Sequence, residues 1–352
     1  MKQWIFLVLL LSIAACRDTQ TNPAKPGLLV VYATALREAP GEKSAELIQL
    51  EPGDPLTDLG QVSSFISGII LNDTLRNEPW LQVQTKGGRQ GWVFAGALRP
   101  AGQDIKGVQQ WALNKRFTAW FGPTLAQRWA SWAQAPPPQN DSTAAVFFRQ
   151  GLALRDTLNL IISRRVTRDP EQPLPDLFWL GELSPLFIVQ QIAGGATYYL
   201  FTDYRVLAKM AAHTEGLQDD AFARVCTEVY PSDSIESVLP VWVFPVSAEA
   251  GCSNLGGGNH VKTLRSIDAA LQAGDLFRPE LLALKDRVLE DISDKNSTYW
   301  QPQDKILAEV DKILKSDFKC LDDRDRIAME ARQKMFEAYA DNGIVLNLRS
   351  GK

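Results

Sequence analysis

Four cysteines and two histidines are the side chains with the clearest capacity for chemistry in this 352-residue chain: Cys16, Cys226, Cys252, Cys320, His213 and His260. A thiol attacks as its thiolate and needs a base within hydrogen-bond reach. Downstream of Cys252, in Gly251-Cys252-Ser253-Asn254, the one histidine is His260. Zinc would require ligands spaced as Cys-x-x-Cys or His-Glu-x-x-His. Neither spacing occurs, so no metal site and no cofactor is expected. Gly256-Gly257-Gly258-Asn259 precedes a helical stretch but lacks the Lys-Ser/Thr pair of a phosphate loop, and it reads as a flexible turn.

Cys16 has a different setting. Met1-Lys2 gives a positive start, Trp4 to Ala15 is uncharged, and Ile13-Ala14-Ala15-Cys16 is followed at once by the polar Arg17-Asp18-Thr19-Gln20-Thr21-Asn22. That is the layout of a secretory signal, too short to span a bilayer. Its last four residues resemble the lipobox of bacterial lipoproteins, in which an aliphatic and two small residues precede a cysteine that accepts lipid and becomes the new N-terminus. The resemblance implies a signal over residues 1–16, lipidation of Cys16 and membrane lipid as a partner. Arg17 in place of Asp after the cysteine implies the outer membrane, with the periplasmic or the outer face left open. Residues 17–26 then read as a polar, proline-containing tether reaching at most ~35 Å. Beyond the signal no apolar run approaches the ~20 residues of a membrane-spanning helix.

Short apolar or alternating segments punctuated by Gly, Pro, Asn and Asp run from Gly27 to Pro100 and predict strands. A hairpin is expected where Trp80-Leu81-Gln82-Val83-Gln84 turns through Lys86-Gly87-Gly88-Arg89 into Gly91-Trp92-Val93. The ordered set Leu36-Arg37 with Pro40-Gly41, Leu47-Ile48 with Pro52-Gly53, Trp80 with Val83, Gly91-Trp92-Val93 and Ala97-Leu98 resembles the bacterial SH3 domain. It implies an SH3-like β-barrel over residues 27–100. Family members commonly bind cell-wall peptides or glycans, or act as spacers, and Tyr32, Trp80 and Trp92 are the aromatics a ligand groove would use. A barrel this small also needs large side chains as core, which is the stronger reading for Trp80 and Trp92 and leaves Tyr32 open. The stretch from Gly60 to Pro79 is longer than the family's usual connection and apolar enough to pack on the barrel or add a hairpin.

Residues 101–352 are expected to form a mainly helical domain with two or three short strands, making the whole a multidomain α+β chain. The aromatic-rich Gly102 to Trp132 reads as two helices sharing an apolar face, broken at Gly122-Pro123. Thr197 to Phe201 and Val241 to Phe244 read as strands. Asp203 is an expected cap for Tyr204 to His213 and Asn259 for Val261 to Gln272, while Pro279, Pro302 and the Asp322, Asp323, Asp325 cluster open later helices. With Cys16 lipidated in an oxidising compartment, one disulfide and one leftover thiol are expected among the other cysteines. Cys226 with Cys252 closes the shortest loop, with the other pairings open, and Cys320 reads as a buried free thiol.

The chain is 45% apolar and 22% charged, which suits a folded protein, and a net charge of −4 with dispersed Lys and Arg argues against nucleic acid as a partner. SH3 domains often accompany wall-cutting cysteine peptidases, but those place Asp before Cys-Ser-Gly, which Gly251-Cys252-Ser253-Asn254 does not match. The expectation is a non-enzymatic envelope lipoprotein that binds or scaffolds, with peptidoglycan or an envelope protein as its partner. A cell-wall hydrolase or its accessory subunit, and a partner in an outer-membrane assembly, are the alternatives.

Overall fold

The computed structural model describes residues 27–166, 175–192, 195–231, 239–246, 251–294 and 296–346. The signal, Cys16 and the tether lie outside the described residues. The chain is mixed α+β and divides into two compact units, Met1–Pro123 and Thr124–Lys352.

In the first unit, β1 (Gly27–Val30), β2 (Thr34–Arg37), β3 (Glu46–Leu50), β4 (Pro55–Leu71), β5 (Thr74–Thr85), β6 (Gln90–Phe94) and β7 (Leu98–Pro100) form an antiparallel sheet in the order β3-β2-β6-β5-β4-β1-β7. Period-two alternation sends Leu28, Val30, Leu81, Val83 and Val93 into one core with Leu36, Leu50, Leu56 and Leu98. The expected β5–β6 hairpin forms, pairing Gln84 with Gln90 across a turn whose Gly88 has φ +86°. Gly91 has no room for a side chain, because a Cβ there would lie 2.6 Å from the Arg37 carbonyl oxygen of β2.

The sheet is not the closed barrel expected from the sequence, since its order ends on β3 and β7 without a pairing between them. Both edges are blunted. β7 is three residues long and ends in Pro100, which has no N–H to offer, while β3 exposes Glu46 and Gln49 and has its Leu47 carbonyl occupied by the Arg89 guanidinium at 3.0 Å. β4 runs on for 17 residues and pairs with β5 out to Leu71 and Thr74, so the Gly60 to Pro79 insert becomes a long hairpin arm. Asn72 and Asp73, at φ 48° and 60°, form its turn, as a two-residue hairpin turn requires of both central residues.

Helix α1 (Ile105–Phe121) is capped by the Asp104 carboxylate, which accepts from Gly107 N at 2.7 Å, and it stops at Gly122 with φ +83°. It packs on β4 and β5 with Trp111 against the sheet core. Trp129 and Trp132 of α2 (Pro123–Ala133) pack instead on Phe187, with Trp132 also stacked on Phe147.

The second unit continues with α3 (Asp141–Arg165), β8 (Phe187–Ile192), β9 (Thr197–Thr202), α4 (Tyr204–Ala211), α5 (Gln218–Val229), β10 (Val243–Pro245), β11 (Gly251–Ser253), α6 (Asn259–Ala273), α7 (Arg278–Ser293), β12 (Thr298–Tyr299), α8 (Gln303–Lys315), α9 (Asp323–Glu337) and β13 (Val345–Leu346). Asp203 caps α4 as expected, Asp322 and Asp325 form a reciprocal capping box on α9, and Pro279 and Pro302 sit at the starts of α7 and α8. Asn259 does not cap α6. Gly258, at φ +86°, holds that position, and the Asn259 side chain donates to the Val241 carbonyl at 2.6 Å.

Strand content exceeds the expected two or three. β8 and β9 form a hairpin, and β10-β11-β12-β13 form a four-stranded sheet with one antiparallel and two parallel pairings. Two- and three-residue strands are too short to show a period in sequence. Asn159, buried on α3, bonds both backbone groups of Leu200 on β9, at 2.8 and 3.1 Å, and ties the hairpin to the helix.

Candidate functional site

The three aromatics proposed for a ligand groove have separate fates. Trp80 is 2% exposed, donates its indole N–H to Ser67 Oγ at 2.9 Å and meets Phe94 edge-on, so it is core. Trp92 is half-buried on β6, opposite Gln82 of β5. Tyr32 is half-buried with the Arg76 guanidinium 5.3 Å from its ring centroid and donating to its hydroxyl at 3.2 Å. The insert thus supplies Ser67 and Arg76 to two of the three positions.

Two buried carboxylates of the sheet receive basic residues from α1. Lys115 Nζ lies 2.7 Å from Asp58, and Arg116 grips Glu78 through two bonds of 2.5 and 3.0 Å. Such forked pairs fix geometry as well as contributing energy, and these hold the helix across the base of the arm.

In the second unit the polar groups converge on His260, which is 0% exposed. Its Nε2 lies 2.8 Å from Asp291 Oδ2, and Ser253 Oγ donates to that same oxygen at 2.6 Å. A carboxylate only accepts, so the imidazole proton sits on Nε2. Nδ1 has no hydrogen-bond partner and lies 3.9 Å from Glu309 Oε1. Glu309 itself accepts from the backbone N–H groups of Gly256, Gly258 and Val261, at 2.6, 2.9 and 3.1 Å. The start of α6 is a natural anion site, and here an internal carboxylate fills it. The glycine loop is a seat for Glu309 rather than for phosphate.

This network links β11, α6, α7 and α8. In a Ser-His-Asp triad the serine gives its proton to the imidazole, whereas Ser253 gives its proton to Asp291 and not to His260. Neither His260 nitrogen is bonded to a thiol. His213, the other histidine, holds the Lys209 carbonyl at 2.6 Å near the end of α4.

Cys226, Cys252 and Cys320 are free thiols, so the anticipated Cys226–Cys252 bridge is not formed. Cys226 faces the core from α5, and burial pushes its thiol well above the usual range. Cys252 is half-buried on β11 opposite Phe244 of β10. Burial, with Asp268 beside it, pushes the Cys320 thiol up to about 12. A thiol so poorly ionised is inert, in keeping with the reading of Cys320 as a buried free thiol.

Asp291 and Glu309 were not legible as site residues by motif. Glu309 did carry a signal, because it shares the apolar stripe of α8 with Ile306, Val310 and Ile313, where a charge needs a partner. Among the described residues no group of three His, Cys, Asp or Glu side chains is gathered as metal ligands, and no helix is long and apolar enough to cross a membrane. Comparison with known proteins finds no matching family, no matching curated protein and no matching solved structure.

Proposed function

We propose that the chain is a lipid-anchored protein of the bacterial cell envelope that acts as a binding or scaffold module. The observation that carries this reading is Ile13-Ala14-Ala15-Cys16, set between an uncharged run and a polar tether. Two or three acyl chains on one cysteine give stable attachment, where a single chain binds only marginally. The first unit is read as an SH3-like module in open-sheet form. Supporting this, Leu36, Val83, Val93 and Leu98 from the ordered motif set share one core, and the Gly60 to Pro79 insert departs from it as the arm. A binding role is favoured over wall hydrolysis because the one histidine downstream of Cys252 is enclosed and committed to Asp291.

Cys16→Ser is expected to move the protein from the membrane fraction to the soluble fraction of lysed cells, and a variant that stays with membranes contradicts the anchor. With the anchor intact, pull-down from detergent-solubilised membranes separates the two partner classes. A stoichiometric companion identifies an envelope assembly. Recovery of the protein alone, with co-sedimentation on purified wall material, identifies peptidoglycan. Release of wall fragments that is lost in Cys252→Ala would overturn the non-enzymatic reading.

A further inference from the structure

The β4–β5 arm has an apolar surface that nothing in the first unit covers. Ile70 is 69% exposed and Leu75 60%, and the two are direct cross-strand partners, so they share a face. Phe65, nearer the base of the arm, is 43% exposed. From Leu59 to Asn77 the charged residues are Asp73, in the turn, and Arg76, which is engaged with Tyr32. An arm with so few charges can meet an apolar medium without stripping water from ions.

The direction of the arm identifies that medium. β1 pairs antiparallel with the start of β4, Gly27 opposite Thr57 and Leu29 opposite Pro55. The N-terminal end of β1 therefore faces the way β4 runs, toward the turn at Asn72-Asp73. Residues 17–26 reach at most ~35 Å from Gly27 back to Cys16. The stretch from Thr57 to Leu71 spans up to ~46 Å in the same direction, less the shortening at its two bulges. A tether of that length is long enough for a lipid on Cys16 to reach most of the way along the arm when it follows the direction of Gly27.

On this geometry, and resting on the reading that Cys16 carries lipid, we propose that the β4–β5 arm is a second membrane contact, laying Ile70 and Leu75 into the headgroup boundary of the anchoring bilayer while Asp73 stays among the headgroups.

The test uses the full lipidated protein with Cys252→Ser and one environment-sensitive fluorophore at Leu75→Cys, Ile70→Cys or Lys86→Cys. Lys86 lies in the exposed β5–β6 turn at the opposite end of β5. Each protein is reconstituted into vesicles of phosphatidylethanolamine and phosphatidylglycerol, with or without spin-labelled phospholipid, and recovered by flotation. About twofold or greater quenching at positions 70 and 75, with none at 86, is expected of an inserted side-chain pair. Flotation without quenching at 70 and 75 overturns the arm contact and leaves the anchor standing. Equal quenching at all three positions also overturns it. An emission shift that follows protein concentration rather than spin-labelled lipid assigns the face to a second copy of the chain and overturns the bilayer contact. Failure to float, with Cys16 unmodified by mass, sinks the anchor and the arm contact together.

Discussion

Glu309 accepts three backbone N–H groups at the start of α6, so Glu309→Ala leaves all three without an acceptor in a buried site. Orphaned buried donors cost ~1–3 kcal/mol each, less where water enters, giving a loss of about 3 kcal/mol or more. Thermal unfolding should fall by ~6–12 °C, with a smaller fall in Glu309→Gln, which keeps an acceptor oxygen. Equal effects of the two variants would show that charge, not the acceptor geometry, matters at this seat. The thiols make a separate prediction. With Cys16 blocked by lipid, a disulfide reagent at pH 8 should label Cys252 rapidly and reach Cys226 and Cys320 only on unfolding, and rapid labelling of all three would contradict their burial. Acid stability should depend on Asp322, whose carboxyl is held below its ordinary range by the Asp325 backbone N–H. A depressed carboxyl stabilises the fold above its unfolded value of about 3.9, and that contribution disappears as pH falls through the folded value. Melting curves should therefore drop below about pH 4, and Asp322→Asn, which cannot titrate, should drop less steeply. At this scale the sequence was legible where a residue acts locally, as with the caps Asp203 and Asp322. It was silent where partners meet from distant segments, as with Ser253, His260 and Asp291.

Helix α1 and the arm it crosses are joined by pairs whose carboxylates, Asp58 and Glu78, are buried. Removing one partner of such a pair leaves an uncompensated charge, so Glu78→Ala should destabilise the first unit by ~1–3 kcal/mol. A double-mutant cycle with Arg116→Ala should return a coupling of at least ~1 kcal/mol, and additivity would show that this pair does not help to hold the helix. Gly151, inside α3, tests packing against propensity. Alanine there should gain up to ~1 kcal/mol of helix preference. A Cβ would also stand 2.8 Å from the Trp132 ring, whose N–H is fixed to the Phe147 carbonyl at 3.0 Å. Overpacking costs ~1–3 kcal/mol, so Gly151→Ala is expected to be neutral to destabilising, and clear stabilisation would mean the indole is free to move. Long elements were visible from their periodicity and caps, and β10 overlaps the β-rich run Val241 to Phe244, whereas β11 to β13 were not visible, being two or three residues each. The insert read as apolar, but its emergence as an arm depends on β4 and β5 continuing to pair with each other beyond the sheet.

At the scale of the molecule, the sequence implied a β region ending near Pro100, whereas the first compact unit runs to Pro123 because α1 packs on β4 and β5. The α+β composition was legible, since alternation and helical stripes are both strong over long stretches. Barrel closure was not, because it depends on whether the edge strands β3 and β7 meet. Membrane attachment rests on the lipid on Cys16, and intact mass analysis of the mature protein extracted from membranes reads that modification out. The expected species begins at Cys16 and carries the mass of diacylglycerol with or without a further acyl chain. An unmodified Cys16, or a mature N-terminus at any other residue, would contradict it.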